Sequence, residues 1–306
     1  MKVLVLGSNG LVGNSIVKIF TNDPHVKEVV GSNRNDTDLF NFKETQALIE
    51  STKPNIIINA AAKVGGIKAN NEMRVDFILE NLKININFLE ACIPYPEIKI
   101  INLGSSCIYP LQTPNPIKEE SFMSGKLEAT NSPYAMAKLT AVEMGRSLNI
   151  QYGHKVLNLM PTNLYGPNDR FTENESHVIP GLILKMHNAK LSKQDYFEVW
   201  GTGKPLREFM FVDDLSKAIL FLIKNEYSEK DLINIGTGDE ISIYELAEKV
   251  KNVVEYKGEL KFDDTKPDGI PRKLLDSSLI SNLGWSPETN LSEGLKITYD
   301  WFTKNN

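Results

Sequence analysis

Short apolar runs alternate with longer amphipathic stretches through the first half of the chain. The runs predict buried strands at 2–6, 26–30, 55–59, 99–103 and 155–160. The stretches between them repeat their apolar residues at helical spacing and predict helices that include 42–51, 74–92 and 133–152. Strands that alternate with helices in this way predict an α/β fold with a doubly wound, mainly parallel sheet.

The second half of the chain has a different pattern. Its segments are shorter, its prolines are more frequent, and its candidate strands at 197–200 and 206–212 are isolated. We therefore expect a Rossmann-type domain over 1–165 and a smaller α/β lobe over 166–306 that covers the ligand-binding edge of the sheet. Segments near 213–236 are expected to return to the first domain.

Composition indicates an ordinary globular protein and limits its partners. Apolar residues make up 41% of the chain, and the net charge of -5 argues against a nucleic-acid-binding surface. The two cysteines, Cys92 and Cys107, give no disulfide framework, and with the four histidines they form no metal motif. We therefore expect a reducing, cytoplasmic compartment and no metal. The apolar start of the chain stops at Gly7, too early for a signal peptide or a membrane span, so no membrane association is expected.

A glycine-rich loop follows the first predicted strand. Its sequence is Gly7-Ser8-Asn9-Gly10-Leu11-Val12-Gly13. Glycines allow a tight turn and bring backbone N–H groups against a pyrophosphate, which the helix N-terminus then favours electrostatically. The loop therefore predicts a dinucleotide cofactor. The second strand is followed by Arg34, and an arginine at this place favours the 2′-phosphate of NADP(H).

Ser105, Tyr134 and Lys138 form a candidate reductase triad. Tyr134 and Lys138 are about one helical turn apart, so the phenol and the ammonium are expected to share a helix face. We expect the ammonium to lower the phenol's pKa from about 10, which lets Tyr134 exchange a proton with a carbonyl oxygen near neutral pH.

Several motifs give the chain a family resemblance that covers nearly its whole length. With the glycine loop and the triad, they closely resemble the extended short-chain dehydrogenase/reductases, and within them the GDP-L-fucose synthases. The motifs are Ala62-Lys63-Val64-Gly65-Gly66-Ile67, Ser105-Ser106-Cys107-Ile108-Tyr109-Pro110, Asn174-Glu175-Ser176-His177-Val178-Ile179-Pro180, Arg207-Glu208-Phe209 and Lys266-Pro267-Asp268-Gly269-Ile270-Pro271-Arg272-Lys273-Leu274-Leu275-Asp276.

This resemblance implies an NADPH-dependent enzyme that inverts C3 and C5 of GDP-4-keto-6-deoxy-D-mannose and reduces C4. The ketone acidifies the hydrogens on C3 and C5, and inversion removes a proton from one face and returns one to the other. In the family a cysteine and a histidine act as this base and acid, and Cys107 and His177 have ordinary pKa values of about 8.5 and 6.5 that suit the task. Tyr134 would protonate the C4 oxygen, Ser105 would hydrogen-bond the carbonyl, and Lys138 would also bind the nicotinamide ribose.

The resemblance also implies contact residues for both ligands. Besides the glycine loop and Arg34, the expected cofactor contacts are Ala61, Leu103, Gly104, Ser105, Ser106, Lys138, Pro161, Thr162, Asn163, Leu164 and His177. The expected substrate contacts are Asn163, Lys185, Trp200, Arg207, Asp268 and Arg272. Arg207 is the best suited to a phosphate, because its planar fork can bind two oxygens. Relatives often carry an arginine in the glycine loop where this chain has Asn9, so the preference for NADP(H) depends on Arg34.

Other interpretations remain open. A related enzyme acting on another GDP-4-keto-deoxyhexose, such as the intermediate of colitose formation, would carry the same motifs. A non-catalytic NADP-binding sensor would be expected to lose Tyr134, Lys138 or the Cys107–His177 pair, and all four are present. A 4,6-dehydratase is disfavoured, because no carboxylate follows Ser105. The predicted helices at 74–92 and 133–152 have apolar faces that could pair in a homodimer or pack internally.

Overall fold

The computed structural model describes residues 1–306 except Asn174 and Pro267, so these two positions of the sequence motifs lie outside the described residues. The helices are α1 (Leu11–Thr21), α2 (Phe42–Thr52), α3 (Ile67–Glu72), α4 (Arg74–Cys92), α5 (Ser132–Tyr152), α6 (Val178–Leu191), α7 (Val212–Lys224), α8 (Ile243–Val254), α9 (Ser278–Asn282) and α10 (Leu291–Asn305). The strands are β1 (Lys2–Leu6), β2 (Glu28–Ser32), β3 (Ile56–Asn59), β4 (Lys99–Leu103), β5 (Lys155–Pro161), β6 (Asn163–Tyr165), β7 (Tyr196–Trp200), β8 (Leu206–Phe211), β9 (Leu232–Ile235), β10 (Glu240–Ser242), β11 (Glu259–Asp263) and β12 (Arg272–Lys273).

A six-stranded parallel sheet forms the centre of the fold. Its strand order is β2-β1-β3-β4-β5-β9. β2 lies on one side of β1, and β3 lies on the other. Successive strands of the chain are therefore added in opposite directions on the two sides of β1. In open α/β sheets the crevice at such a reversal binds ligands. The predicted doubly wound α/β fold is confirmed.

The side chains of the first strand point alternately into two apolar layers. Val3 and Val5 pack in the layer that contains α1 and α7, whereas Leu4 and Leu6 pack in the layer that contains α2 and α4. All four residues are fully buried. Burial on both faces explains why the strand has an unbroken apolar sequence rather than an alternating one.

Three buried asparagines link neighbouring strands at the same level of the sheet. The Nδ2 group of Asn59 donates to Oδ1 of Asn102 at 3.3 Å, and Nδ2 of Asn102 donates to Oδ1 of Asn158 at 2.9 Å. The strand register places these residues opposite one another. A buried amide without a partner is costly, so this ladder favours one register and thereby aligns the carboxyl ends of β3, β4 and β5.

The two candidate strands that stand apart in the sequence pair with short strands of the second lobe. β8 pairs with β6, β10 and β12, and β7 pairs with β11. The sequence did not mark these partners, because they are short and lack a clear apolar run of their own. β8 ends at Phe211 rather than at the predicted residue 212, since Val212 begins α7.

Part of the chain after residue 165 contributes to the central sheet. β9 pairs with β5, and α7 packs against α1. The Ser15 hydroxyl of α1 donates to the Asp213 carboxylate of α7 at 2.6 Å. Within the described residues, no helix is both long enough and apolar enough to cross a membrane.

Candidate active site

The glycine turn brings β1, α1 and the end of β3 into close contact. Gly7 has a left-handed φ of 80°, and a Cβ atom there would lie 2.8 Å from the backbone of Ala61. A Cβ atom at Gly13 would lie 2.1 Å from the carbonyl oxygen of Gly7. Gly10 caps α1 and has only that carbonyl oxygen near its Cβ position, at 3.6 Å. The space before the helix is therefore open, and this cradle fits a pyrophosphate.

A cavity of about 670 Å³, which we call the glycine-turn cavity, lies between this turn and the end of β2. Arg34 lines it with an exposed side chain whose Nη2 lies 3.4 Å from the Glu80 carboxylate. The predicted cofactor residues at this cavity are Gly7, Asn9, Gly10, Arg34 and Ala61. The cavity is also lined by residues that were not among the predicted cofactor contacts, namely Ser32, Asn33, Asn35, Thr37, Asp38, Leu39, Phe40, Ala60, Ala62 and Ile84.

A second cavity of about 300 Å³, the central cavity, runs from the start of α1 to the carboxyl ends of β4 and β5. It brings together Ser105, Tyr134, Lys138 and His177. Most other predicted cofactor contacts also line it, namely Gly10, Leu11, Val12, Leu103, Gly104, Ser106, Pro161, Thr162, Asn163 and Leu164. Gly10 borders both cavities, so they meet at the glycine turn.

Three of the predicted catalytic and cofactor residues line neither cavity. Ser8 is buried, and its N–H donates to the carbonyl oxygen of Ser32 at 3.0 Å. Gly13 packs beneath the turn. Cys107 lines a third, much smaller cavity of about 10 Å³, which we call the small cavity.

Tyr134 and Lys138 share one face of α5, with Nζ of Lys138 5.8 Å from the centre of the Tyr134 ring. Lys138 is 3% exposed, and burial lowers its pKa to about 8. Burial raises the pKa of Tyr134, the charge of the Cys107 thiolate raises it further, and the Ser105 hydroxyl opposes the change. The expectation that the ammonium lowers the phenol's pKa is therefore wrong, because Lys138 loses its own charge before the phenol ionises.

Cys107 lies in the short 3-10 turn that follows β4. Ser105 begins this turn and accepts a hydrogen bond from the Cys107 N–H at 3.3 Å. Burial raises the pKa of the Cys107 thiol, while Lys273, the Ser105 hydroxyl and Lys138 act in the opposite direction. The thiol is thus within electrostatic reach of both Tyr134 and Lys138, although it faces a different cavity.

His177 precedes α6 and lines the central cavity. The His177 side chain is accessible through the cavity. Desolvation by the surrounding protein lowers the pKa of the imidazole, and the positive charge of Arg170 lowers it further. The imidazole is therefore mainly neutral at pH 7.

Asp169 also lines the central cavity, and sequence reasoning missed it. Its Oδ1 accepts from the Arg170 N–H at 2.8 Å, whereas its buried Oδ2 has no hydrogen-bond partner within the described part of the chain. Burial raises the pKa of this carboxyl to about 7. A single aspartate in a polar loop forms no motif that could have marked it.

The predicted substrate residues Lys185, Trp200, Arg207 and Asp268 lie in the second lobe. Nζ of Lys185 is 5.3 Å from the centre of the exposed Trp200 ring. Asp268 accepts from the N–H and the hydroxyl of Thr202, both at 2.7 Å. Burial lowers the pKa of Arg207, and the carboxylate of Asp268 opposes this.

Two further predicted substrate residues already have protein partners. Nδ2 of Asn163 donates to the backbone oxygen of Glu208 at 2.8 Å. Nε of Arg272 donates to the Glu240 carboxylate at 2.8 Å, so its charge is already matched. The next residue, Lys273, was not predicted, and it shares the small cavity with Cys107.

Glu208 is a buried residue that connects three parts of the site. Its carboxylate accepts from the N–H groups of Thr237 at 2.7 Å, Gly238 at 2.9 Å and Leu275 at 3.2 Å. These bonds join β8 to the turn after β9 and to the segment after β12. The described residues contain no group of three or more His, Cys, Asp or Glu side chains that could hold a metal ion.

Comparisons with known proteins define the class. Residues 3–236 match the NAD dependent epimerase/dehydratase family. GDP-L-fucose synthase 1 of Arabidopsis thaliana is 45% identical over 99% of this chain and 94% of its own length. The chain therefore belongs to the NAD dependent epimerase/dehydratase family and, within it, to the GDP-L-fucose synthases.

Two further proteins are similar over nearly the whole chain. The GDP-L-colitose synthase of Yersinia pseudotuberculosis is 36% identical, with 100% of both chains covered. A solved structure described as a GDP-L-fucose synthetase from Naegleria fowleri bound to NADP is 29% identical. It superposes with a TM-score of 0.90 over 99% of this chain and 94% of that chain.

Proposed function

We propose that this chain is an NADPH-dependent enzyme that epimerises C3 and C5 of GDP-4-keto-6-deoxy-D-mannose and reduces C4 to give GDP-L-fucose. One observation carries the proposal: a thiol and an imidazole lie near the residues proposed as the reductase triad. His177 lines the central cavity with Ser105, Tyr134 and Lys138, and Cys107 lies within electrostatic reach of Tyr134. A simple reductase would need neither of them.

The glycine turn and Arg34 are the proposed NADP(H) site. The open N-terminus of α1 would receive the pyrophosphate, and Arg34 in the adjoining cavity would meet the 2′-phosphate. The related Naegleria protein is described as bound to NADP, which supports this assignment. When bound, NADPH supplies the hydride that reduces C4.

Cys107 and His177 are the proposed pair for epimerisation. The C4 ketone makes the hydrogens on C3 and C5 acidic, so each can leave as a proton and give an enol. Inversion then requires a proton on the opposite face of the ring, which two separate groups can exchange. We assign the two transfers to the thiol and the imidazole.

Tyr134 is the proposed proton donor to the C4 oxygen. Burial raises its pKa and so keeps the phenol protonated at neutral pH, as a donor must be. Ser105 lies close enough to hydrogen-bond the phenol, and it would also hydrogen-bond the C4 oxygen. Lys138 lies near the Tyr134 ring, and we assign it the nicotinamide ribose as well.

The second lobe supplies the proposed GDP contacts. Trp200 offers an exposed aromatic face, and Lys185 and Arg207 are cations suited to the diphosphate. Asp268 and Asn163 are the proposed polar contacts of the nucleotide and the sugar. Arg272 is the weakest of the predicted contacts, because its charge is already matched by Glu240.

A related reaction on another GDP-4-keto-deoxyhexose is the second candidate. The similarity to a GDP-L-colitose synthase supports it, although that protein is less similar, at 36% identity, than the fucose synthase at 45%. Sugar-facing contacts decide between the two substrates, and most of the described site would serve either.

A cytoplasmic homodimer is the proposed working form. Cys92 and Cys107 are both free and buried, which suits a reducing compartment. Val75 and Leu79 of α4 and Met136 of α5 are exposed apolar residues at the surface, with exposures of 64%, 48% and 47%. Burying these helices against a second copy would cover them. Sedimentation of the purified protein as a monomer would contradict this assignment.

One experiment tests the proposed reaction directly. Purified protein is mixed with NADPH and GDP-4-keto-6-deoxy-D-mannose in deuterated water, and the nicotinamide absorbance is followed. We expect oxidation of NADPH and deuterium at C3 and C5 of the product. Oxidation without deuterium would indicate a reductase that does not epimerise. No oxidation would favour a non-catalytic NADP-binding protein. The same assay with the colitose precursor compares the two substrates through kcat/KM.

A further inference from the structure

The motif at 266–276 contains a partly buried cation that the proposed reaction leaves without a role. Lys273 lines the small cavity together with Cys107. Within the part of the chain that the structure describes, its side chain makes no hydrogen bond and no ion pair. Its interactions there are longer-range electrostatic ones. By contrast, the neighbouring Arg272 is paired with Glu240. Lys273 is therefore a positive charge close to the thiol without an ion-paired carboxylate of its own.

The backbone holds Lys273 firmly in this position. β12 pairs with β8 and places Lys273 opposite Arg207. The next residue, Leu274, donates its N–H to Oδ1 of Asn115 at 2.8 Å and accepts from the N–H of Ile117 at 2.8 Å. This anchoring on both sides fixes the backbone from which the Lys273 side chain extends to the cavity.

Several charged or titratable groups face the thiol and Lys273. On the triad side these are Tyr134 and Lys138, which interact with Cys107. On the side of β8 it is Arg207, whose positive charge lowers the pKa of Lys273. Glu128 acts in the opposite direction.

Glu128 is occupied by its own loop rather than by Lys273. Its carboxylate accepts from the N–H of Thr130 at 2.9 Å, from the Thr130 hydroxyl at 2.6 Å and from the N–H of Asn131 at 3.1 Å. Close beside it, the buried Oδ1 of Asn131 has no hydrogen-bond partner in the described chain. The small cavity thus contains polar groups that are not fully satisfied by one another.

We propose that Lys273 is a positioning residue for proton transfer: its ammonium stabilises the thiolate of Cys107 from the side of the small cavity. This inference rests on the proposed epimerisation. Each inversion cycle requires the sulfur to hold a proton at one stage and to be without it at another. A buried thiol favours the protonated form, so a fixed positive charge beside the sulfur is needed to make the thiolate accessible.

A substrate phosphate is the main competing partner for Lys273. The two roles predict different effects of removing the charge. Loss of a phosphate contact would mainly raise KM, whereas loss of the thiolate's partner would change the pH at which Cys107 titrates and would slow proton exchange at C3 and C5.

The first test uses the free protein and no nucleotide sugar. Cysteine labelled at Cβ is followed by NMR while the pH is raised, with Cys92→Ala and Cys107→Ser variants to assign the two signals. We expect Lys273→Met to raise the Cys107 titration midpoint by roughly one to three pH units. Lys273→Arg should return it close to the wild-type value. Lys126→Met removes an exposed lysine and should leave the midpoint unchanged.

The second test connects the thiolate to the reaction. At fixed pH, Lys273→Met should slow deuterium entry at C3 and C5 by about tenfold for each unit by which the midpoint rises. The rate should recover as the pH is raised.

An unchanged midpoint in Lys273→Met would overturn the proposal, as would a changed midpoint with unchanged exchange. If Lys273→Met does not fold, Lys273→Gln serves for both measurements. Lys273→Met could show the midpoint shift while the wild type itself exchanges no deuterium. That result would refute the proposed epimerisation and leave the electrostatic pairing of Lys273 with Cys107 intact.

Discussion

Nζ of Lys138 donates a hydrogen bond of 2.6 Å to the carbonyl oxygen of Leu103. This contact ties the centre of α5 to the last residue of β4, just before Ser105. It places the ammonium beneath the triad, where no carboxylate among the described residues compensates its burial. Burial therefore makes the ammonium easier to deprotonate and lowers the pKa of Lys138 from 10.5 to about 8.

The first prediction concerns stability against pH. Between about pH 8 and pH 10.5 the unfolded chain retains a proton at Lys138 that the folded chain has lost, so the stability contributed at this residue rises with pH. The free energy of unfolding of the wild type relative to Lys138→Met should therefore increase by roughly 2 kcal/mol between pH 8 and 9.5. Denaturant titrations of both proteins measure this difference. A difference that stays constant or falls would contradict the shifted pKa.

The cofactor preference provides the second prediction. The Arg34 guanidinium is 74% exposed and only loosely paired with Glu80, so it is available to a 2′-phosphate. Arg34→Ala should raise KM for NADPH by about tenfold or more and change KM for NADH little, because only NADPH carries that phosphate. Arg34→Lys is the matched control and should lie between the two. Equal increases for both cofactors would refute the assignment of Arg34.

The thiol provides the third prediction. Cys107→Ser should slow deuterium exchange at C3 and C5 by at least about a hundredfold, because a hydroxyl is a much weaker acid than a thiol and cannot form the anion near neutral pH. Cofactor affinity, measured by fluorescence titration with NADPH, should be nearly unchanged, since Cys107 lines neither of the larger cavities. Cys92→Ala removes the other cysteine, which lies in the core, and should retain exchange. Normal exchange in Cys107→Ser would exclude the thiol from proton transfer.

Most of the central sheet follows from the sequence because its physical cause is local. Strands that are buried on both faces need apolar residues at every position, and the predicted limits of 2–6 and 99–103 agree with β1 and β4. The second strand begins at Glu28 rather than at residue 26. Val26 is instead in a turn, where its N–H donates to the carbonyl oxygen of Asp23 at 3.1 Å.

Less of the site could be predicted, because its contacts join distant parts of the chain. Lys273 reaches Cys107 only because the two residues of β12 pair with β8, and no local pattern marks so short a strand. The pKa of Tyr134 was misjudged for a similar reason. The helical spacing to Lys138 is visible in the sequence, but the burial that shifts the pKa values of both groups depends on the packing of α5 against β4.

The fourth prediction concerns Asp169, whose Oδ2 is buried at the central cavity without a hydrogen-bond partner. Burial raises the pKa of this carboxyl from 3.8 to about 7, so the folded chain binds a proton there that the unfolded chain has lost between these values. Stability at this residue is therefore present at low pH and declines as the pH rises toward 7.

Asp169→Asn keeps the shape and removes the charge. It should stabilise the protein by up to roughly 4 kcal/mol at pH 8, the free energy of a shift from 3.8 to about 7, and by much less at pH 4, which thermal unfolding at the two pH values would show. Asp36→Asn, which changes an exposed aspartate on the loop after β2, is the matched control. If Asp169→Asn is no more stabilising at pH 8 than at pH 4, the carboxyl is ionised in the folded protein and Oδ2 must have a partner that the packing of this loop does not supply.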